Sequence, residues 1–282
     1  MKKIKMLLDK LILTKIDKIN TNLYRFLTYD IYRKIYSPII NKIKYNDKHF
    51  FHSVSIETST YCNRKCDYCP NKDNETPKNY IDKQIFQEAI RQLKKIKFSG
   101  IFEYCFYNEP LFDPNLINLV KYAKNELPNC IHSLTTNGDL LTIEKANELI
   151  DAGIDKFIVT IHDKNPERAY ERLSKVKDVI KDKMRLQTIH NLDLQNRGGD
   201  VDISKYEYQK HKVCPNILKL VIVINGDVVL CCNDYYKKHV MGNIMKTNIV
   251  DIWKSYANLR EELLEKNIAR LDICKKCLEI ED

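Results

Sequence analysis

The chain has 282 residues, 44% of them hydrophobic, and a formal net charge of +9. That apolar content supports a substantial core and excludes a disordered chain. Residues 1–48 hold ten Lys and two Arg against four Asp, so nearly all of the charge excess lies there and the rest is close to neutral. A groove for nucleic acid is therefore not expected. Met1–Lys5 is basic like the start of a secretion signal, but Asp9 and Lys10 interrupt the apolar run behind it and no small-residue cleavage site follows. With no uncharged run approaching the roughly 18 residues of a membrane span, a cytoplasmic location is expected. Ten cysteines then point to metal ligands or catalytic groups in preference to disulfides.

In chain order, Ile4, Leu7, Leu8, Leu11, Ile12, Ile16 and Ile19 recur at helical spacing among lysines, and Leu23, Phe26, Leu27, Ile31 and Ile35 repeat the pattern. Two readings stay open for this extension: helices packed on the main domain, or a membrane-surface or partner contact. Ser37–Pro38 is expected to end or kink the second helix. From residue 52 strands alternate with helices. Strands are predicted at 54–57, 101–106, 131–134, 157–161 and 184–189, and helices at 84–96, 116–126, 143–152 and 167–181. Such βα units build a parallel sheet with function at the C-terminal strand ends. After Gly198–Gly199, the runs 218–224 and 228–231 flank Asn225–Gly226, a two-residue hairpin signal, and a helical run follows at 252–264.

Directly after the first predicted strand stands Cys62-Asn-Arg-Lys-Cys66-Asp-Tyr-Cys69. Three thiolates leave zinc one ligand short of a closed site. An iron cubane tolerates the deficit, because the fourth iron then stays open to a small molecule.

This CxxxCxxC segment, with Tyr68 before its third cysteine, resembles the signature of radical S-adenosylmethionine (SAM) enzymes, and the resemblance extends over roughly residues 52–282. It implies a partial (β/α)6 barrel. It also implies a [4Fe–4S] cluster on Cys62, Cys66 and Cys69 that cleaves SAM to a 5'-deoxyadenosyl radical, which abstracts hydrogen from substrate. Tyr107-Asn108-Glu109-Pro110 resembles the family's GGEP segment, which holds the SAM amino group, although both glycines are replaced. Thr135-Thr136-Asn137-Gly138 falls where the family has a TNG turn. Thr160 and Arg172 stand where relatives place a ribose contact and a carboxylate-binding arginine, and Arg197 lies in a loop open to either ligand. Tyr68, Asn108, Glu109, Asn137, Thr160 and Arg172 are thus the candidate SAM contacts.

Cys214-Pro215, then Gly226-Asp-Val-Val-Leu-Cys231-Cys232, then Cys274-Lys-Lys-Cys277 resemble the twitch extension, a shortened relative of the SPASM domain with one auxiliary [4Fe–4S] cluster. Met241–Ile244 and Asp251–Trp253 agree with it. The implied ligands are Cys214, Cys231, Cys274 and Cys277, with Cys232 as the alternative to Cys231. A four-cysteine zinc site is the competing reading. If Cys231 is the ligand, Cys232 is free to act as a hydrogen-atom donor, whereas Cys105 and Cys130 read as small buried hydrophobes. The expected domains are the extension at 1–50, the barrel at 51–205 and an auxiliary-cluster domain of β-hairpin plus helix at 206–282.

The resemblance implies an oxidoreductase acting on a small polar substrate, a sugar, cyclitol or similar alcohol, by dehydrogenation or epimerisation. A flavodoxin or ferredoxin would be the reductant. Peptide maturation is the alternative substrate class, and a metal-binding scaffold the non-enzymatic alternative. Which of His162, Gln187, His190 and Asn191 faces inward is not readable from the chain.

Overall fold

The computed structural model describes residues 37–280 apart from 74, 76, 193, 207–213, 215 and 267. The amphipathic patterns at 4–19 and 23–35, and the contacts expected of them, lie outside the described residues. Chain contacts divide into two compact units, Met1–Phe50 and Phe51–Asp282. In the first unit a helix, α1, spans Ser37–Tyr45. Ser37–Pro38 stands at the start of this described helix, and the run 23–35 that it is expected to end or kink lies outside the described residues. Asn41 Nδ2 donates to the Phe50 carbonyl at 3.0 Å, and the Tyr45 and Phe50 rings stack at 4.0 Å. No helix among the described residues is long and apolar enough to cross a membrane.

The second unit is built on one sheet. Five strands, β1 (Ser53–Ile56), β2 (Ile101–Glu103), β3 (Ile131–Thr136), β4 (Lys156–Ile161) and β5 (Met184–Thr188), run parallel. Helices α2 (Lys83–Lys95), α3 (Leu116–Glu126), α4 (Ile143–Ala152) and α5 (Glu167–Ile180) connect them. Asp82 caps α2 through the Gln84 amide, and Thr142 caps α4 through the Lys145 amide.

Strand residues alternate in facing, so the pairing register decides what each face carries. Val54 pairs with Phe102, Leu134 with Phe157, and Thr136 with Val159. Of these, Phe102 meets Phe86 of α2 with ring centroids 6.4 Å apart. The opposite parity carries Ser55, Glu103, Ser133, Lys156, Thr160 and Gln187, aligned by the pairs Ser55–Glu103, Glu103–Ser133, Ser133–Lys156 and Thr160–Gln187. One face is therefore the apolar core, and the other, the inner face, carries a row of polar side chains with Ile158 and Val221 among them.

A sixth parallel strand, β6 (Lys219–Ile222), follows the four βα units and β5 but pairs along all of β1, on the side away from β2. The barrel is open. From β6 the chain turns antiparallel into β7 (Asp227–Val229) and β8 (Val240–Asn243), the last a strand not expected from sequence. Asn225–Gly226 closes the first hairpin as part of a wider loop: Gly226 N bonds Val223 O, Val223 N bonds Asp227 O, and Gly226 takes φ +85°. The helical run expected at 252–264 is broken into α6 (Ile249–Ser255), α7 (Ala257–Glu261) and a π turn. Trp253 packs edge-on against Phe51 at 5.1 Å, with the buried Arg260 guanidinium 4.0 Å above its ring. The CKKC segment lies on α8 (Asp272–Leu278).

Candidate active site

The loop after β1 carries Cys62, Cys66 and Cys69, all partly exposed. Cys69 N bonds Cys66 O at 3.0 Å and Lys72 N bonds Cys69 O at 3.1 Å, which coils the loop into consecutive turns. Burial pushes all three thiols up, and each is also raised by a neighbour of the set; the Arg64 and Asn71 amides favour the Cys62 and Cys69 thiolates. Neutral thiols of this kind give up their protons when a metal takes the sulfur. Among the described residues no three His, Cys, Asp or Glu side chains are gathered tightly enough to hold one metal ion. A cubane binds each thiolate to a different iron and so suits a looser soft-donor set.

Arg64, inside the cysteine segment, was not singled out from sequence, yet it positions the loop. Its Nε donates to Asp139 Oδ2 at 2.7 Å and its Nη2 to Asp163 Oδ2 at 3.1 Å, reaching the loops after β3 and β4. These carboxylates raise its pKa above the usual guanidinium value. Beside it Asn63 Nδ2 donates to Asp139 at 2.7 Å and its Oδ1 accepts from Asn137 Nδ2 at 2.8 Å. Asn137 in turn gives its backbone amide to Glu109 Oε2 at 2.7 Å, while Glu109 Oε1 accepts from Thr136 Oγ1 at 2.6 Å and from Leu111 N at 3.0 Å. Burial raises the Glu109 carboxyl and these three donors oppose the rise. Asn108 donates to Thr58 Oγ1 at 3.1 Å and caps Phe106 N through its Oδ1 at 2.9 Å. The structure thus brings Asn108, Glu109 and Asn137 together with the cysteine loop, and side-chain bonds do the work of the absent glycines.

Tyr68 is buried against Leu194, Val201 and Ile203 and hydrogen-bonds His162 Nδ1. Burial, then the Arg64 charge, drives His162 down to about 4, so it is neutral near pH 7. Thr160 faces inward and accepts from Gln187 Nε2 at 3.0 Å, whereas His190 and Asn191 are exposed. Arg172 differs from expectation: Nη1 donates to Leu141 O at 2.9 Å and Nη2 to Gly138 O at 2.8 Å. Its fork is engaged with the backbone between β3 and α4, and here it braces the Asn137 turn.

The second thiol set comes from the segment before β6 (Cys214), the turn after β7 (Cys231, Cys232) and α8 (Cys274, Cys277). Burial leads the causes that lift Cys214 to about 11 and Cys274 to about 12, and it raises Cys277 as well. Cys231 is buried, and burial, then Cys232 and Cys214, push its thiol well above the ordinary value. Cys232 packs with Val221, Val223, Val229 and Phe106, and Val221 pairs in register with Ser55 of the inner face. Tyr107 joins the two regions, donating its hydroxyl to Cys232 O at 2.8 Å with the Arg197 guanidinium 5.6 Å from its ring. Cys105 is held up at about 12 by burial, and Cys130 is buried with its thiol on Phe98 O at 3.4 Å.

The Radical SAM superfamily model matches residues 56–193, and that of an iron–sulfur cluster-binding domain, SPASM, matches residues 214–278. An S-adenosyl-L-methionine-dependent 2-deoxy-scyllo-inosamine dehydrogenase of Niallia circulans is 33% identical over 234 residues, covering 80% of this chain and 92% of that protein. A probable GTP 3',8-cyclase of Methanocaldococcus jannaschii is 32% identical over 136 residues, covering 45% of this chain and 41% of that protein. The crystal structure of BtrN in complex with AdoMet and 2-DOIA superposes with a TM-score of 0.74 at 30% identity, covering 82% of this chain and 94% of that one. The chain therefore belongs to the radical SAM superfamily, enzymes that work with SAM and [4Fe–4S] clusters, and carries an iron–sulfur cluster-binding domain over residues 214–278.

Proposed function

We propose that this enzyme oxidises one hydroxyl-bearing carbon of a small cyclitol or amino-cyclitol to a carbonyl. The observation that carries the reading is the set of polar side chains on the inner face, Ser55, Glu103, Thr160, Gln187 and Lys219. Its partly buried Lys219–Glu103 pair, 2.6 Å apart with Ser55 on the same carboxylate, suits a polyhydroxylated ligand and not an apolar one. The relative from Niallia circulans, a dehydrogenase of 2-deoxy-scyllo-inosamine, supports the substrate class.

In this reading Cys62, Cys66 and Cys69 hold the SAM cluster, and Cys214, Cys231, Cys274 and Cys277 hold the auxiliary one. When bound, these groups supply reductive SAM cleavage for hydrogen abstraction and a one-electron acceptor. The chain's residues orient and enclose. Glu109 offers a buried, prearranged carboxylate for the SAM ammonium, and Asn108, Asn137 and Thr160 line the same strand ends. Tyr68 and His162 wall the cysteine loop against water. Residues 51–205 form the barrel and 206–282 the auxiliary domain, although β6 belongs to the common sheet. A flavodoxin or ferredoxin in the cytoplasm would be the electron donor.

Epimerisation is the second reading, favoured by the Cys232 side chain on the inner face. Anaerobically reconstituted enzyme with SAM, dithionite and a panel including 2-deoxy-scyllo-inosamine, run in deuterium oxide, separates them. Dehydrogenation yields stoichiometric 5'-deoxyadenosine and ketone, with no deuterium at the oxidised carbon. Deuterated, redox-unchanged product that disappears in Cys232→Ala establishes epimerisation. Turnover of peptides but of no cyclitol overturns both.

A further inference from the structure

The step from the second thiol set to the inner face runs through one amide. Asn233, directly after the Cys231–Cys232 pair, is fully buried. Its Oδ1 accepts from Arg197 Nη1 at 3.0 Å, and its Nδ2 donates to Gln195 Oε1 at 2.7 Å and to Cys277 Sγ at 3.1 Å. An amide can be turned end for end, but arginine has only donors. The guanidinium therefore fixes the carbonyl towards itself and the N–H2 towards sulfur.

Arg197 is in turn held by its own backbone. It adopts φ +53°, followed by Gly198 at +69° and Gly199 at +86°, and Gly198 lies so close to α8 that a Cβ would come within 2.3 Å of Ile273. This strained loop carries a partly buried cation to the side of the amide away from Cys277. A cation polarising an amide strengthens its N–H bond to sulfur, and hydrogen bonds to ligand sulfurs shift the potential of iron–sulfur clusters.

We propose that Asn233, aimed by Arg197, is a positioning residue that donates to the Cys277 thiolate and thereby raises the readiness of the auxiliary cluster to accept one electron. This rests on the reading of Cys277 as an auxiliary-cluster ligand. The test is an EPR-monitored redox titration of full-length protein carrying both clusters. Asn233→Asp keeps shape and the Arg197 pair but removes the donor. It is expected to retain all iron and the SAM-cluster potential while making auxiliary reduction about tenfold less favourable, about 59 mV lower. Full iron with an unchanged auxiliary potential overturns the proposal. Should Asn233→Asp lose auxiliary iron, Arg197→Gln, which frees the amide to turn, is compared with Arg197→Lys, which keeps the cation. The proposal requires the Gln variant to lie lower, and equal potentials overturn it. Cys277→Ala with all its iron retained refutes instead the ligand assignment on which the proposal rests.

Discussion

Arg64 shows how a residue between cysteines contributes without touching metal. Its partners Asp139 and Asp163 lie 75 and 99 residues away, so one side chain draws the loops after β1, β3 and β4 together. The guanidinium is one-fifth exposed, which moderates each contact. Arg64→Ala is expected to cost about 2 kcal/mol at the site, roughly a 30-fold loss of SAM affinity by equilibrium dialysis of reconstituted protein. Unchanged affinity would show that the loop holds its shape alone. His132 offers a pH test away from the cysteines. It is fully buried, with Nδ1 on the Tyr104 hydroxyl at 2.7 Å and Nε2 on Leu127 O at 3.1 Å, and burial holds its pKa below the ordinary histidine value. Because the unfolded chain takes up the proton first, this contribution is complete above about pH 6.5 and declines as pH falls below it. His132→Phe should lower the urea midpoint at pH 7.5, by about 2 kcal/mol from two orphaned polar groups, and flatten the loss between pH 6.5 and 5. An equally steep variant would assign that slope to other groups.

At the scale of elements, the 197–199 loop and α8 are matched surfaces. Gly198→Ala would place a Cβ 2.3 Å from Ile273 Cγ1 in a left-handed conformation that itself costs roughly 1–2 kcal/mol. Helix α8, which carries Cys274 and Cys277, must then move. The expected outcome is loss of about half the iron with the SAM-cluster EPR signal retained. Gly199→Ala meets the flexible end of Lys276 at 2.7 Å and should lose far less. Equal loss in both variants would indicate a backbone effect of the loop and not a clash with the helix.

For the whole molecule, two [4Fe–4S] clusters predict about eight irons per chain. Alanine at Cys62, Cys66 and Cys69 together should remove about half the iron and all SAM cleavage, and retained cleavage would refute the assignment. The sheet also couples the two cysteine-bearing regions mechanically. β6 pairs with every residue of β1 and buries Leu220 and Ile222 completely. A chain ended at residue 205 loses at least these two side chains, on the order of 2 kcal/mol each, and exposes the β1 edge. It should be insoluble or bind ANS, while a soluble fragment with a normal SAM cluster would show that the barrel folds alone.

What the sequence determined by itself was local. Helices α3 and α4 begin and end where their apolar periodicity does, and Cys62–Cys69 and Cys274–Cys277 are spacings within one loop and one helix turn. The Asn108–Pro110 and Thr136–Gly138 segments were legible because each is a few consecutive residues. Tertiary structure decided the rest: that Arg172 braces the Asn137 turn, that Arg64 latches three loops, that Cys232 lies on the inner face, and that β6 returns beside β1. Each depends on strand register or on partners far apart in the chain. Register turns a side chain from one face of a sheet to the other with a shift of a single residue, and no local pattern records it.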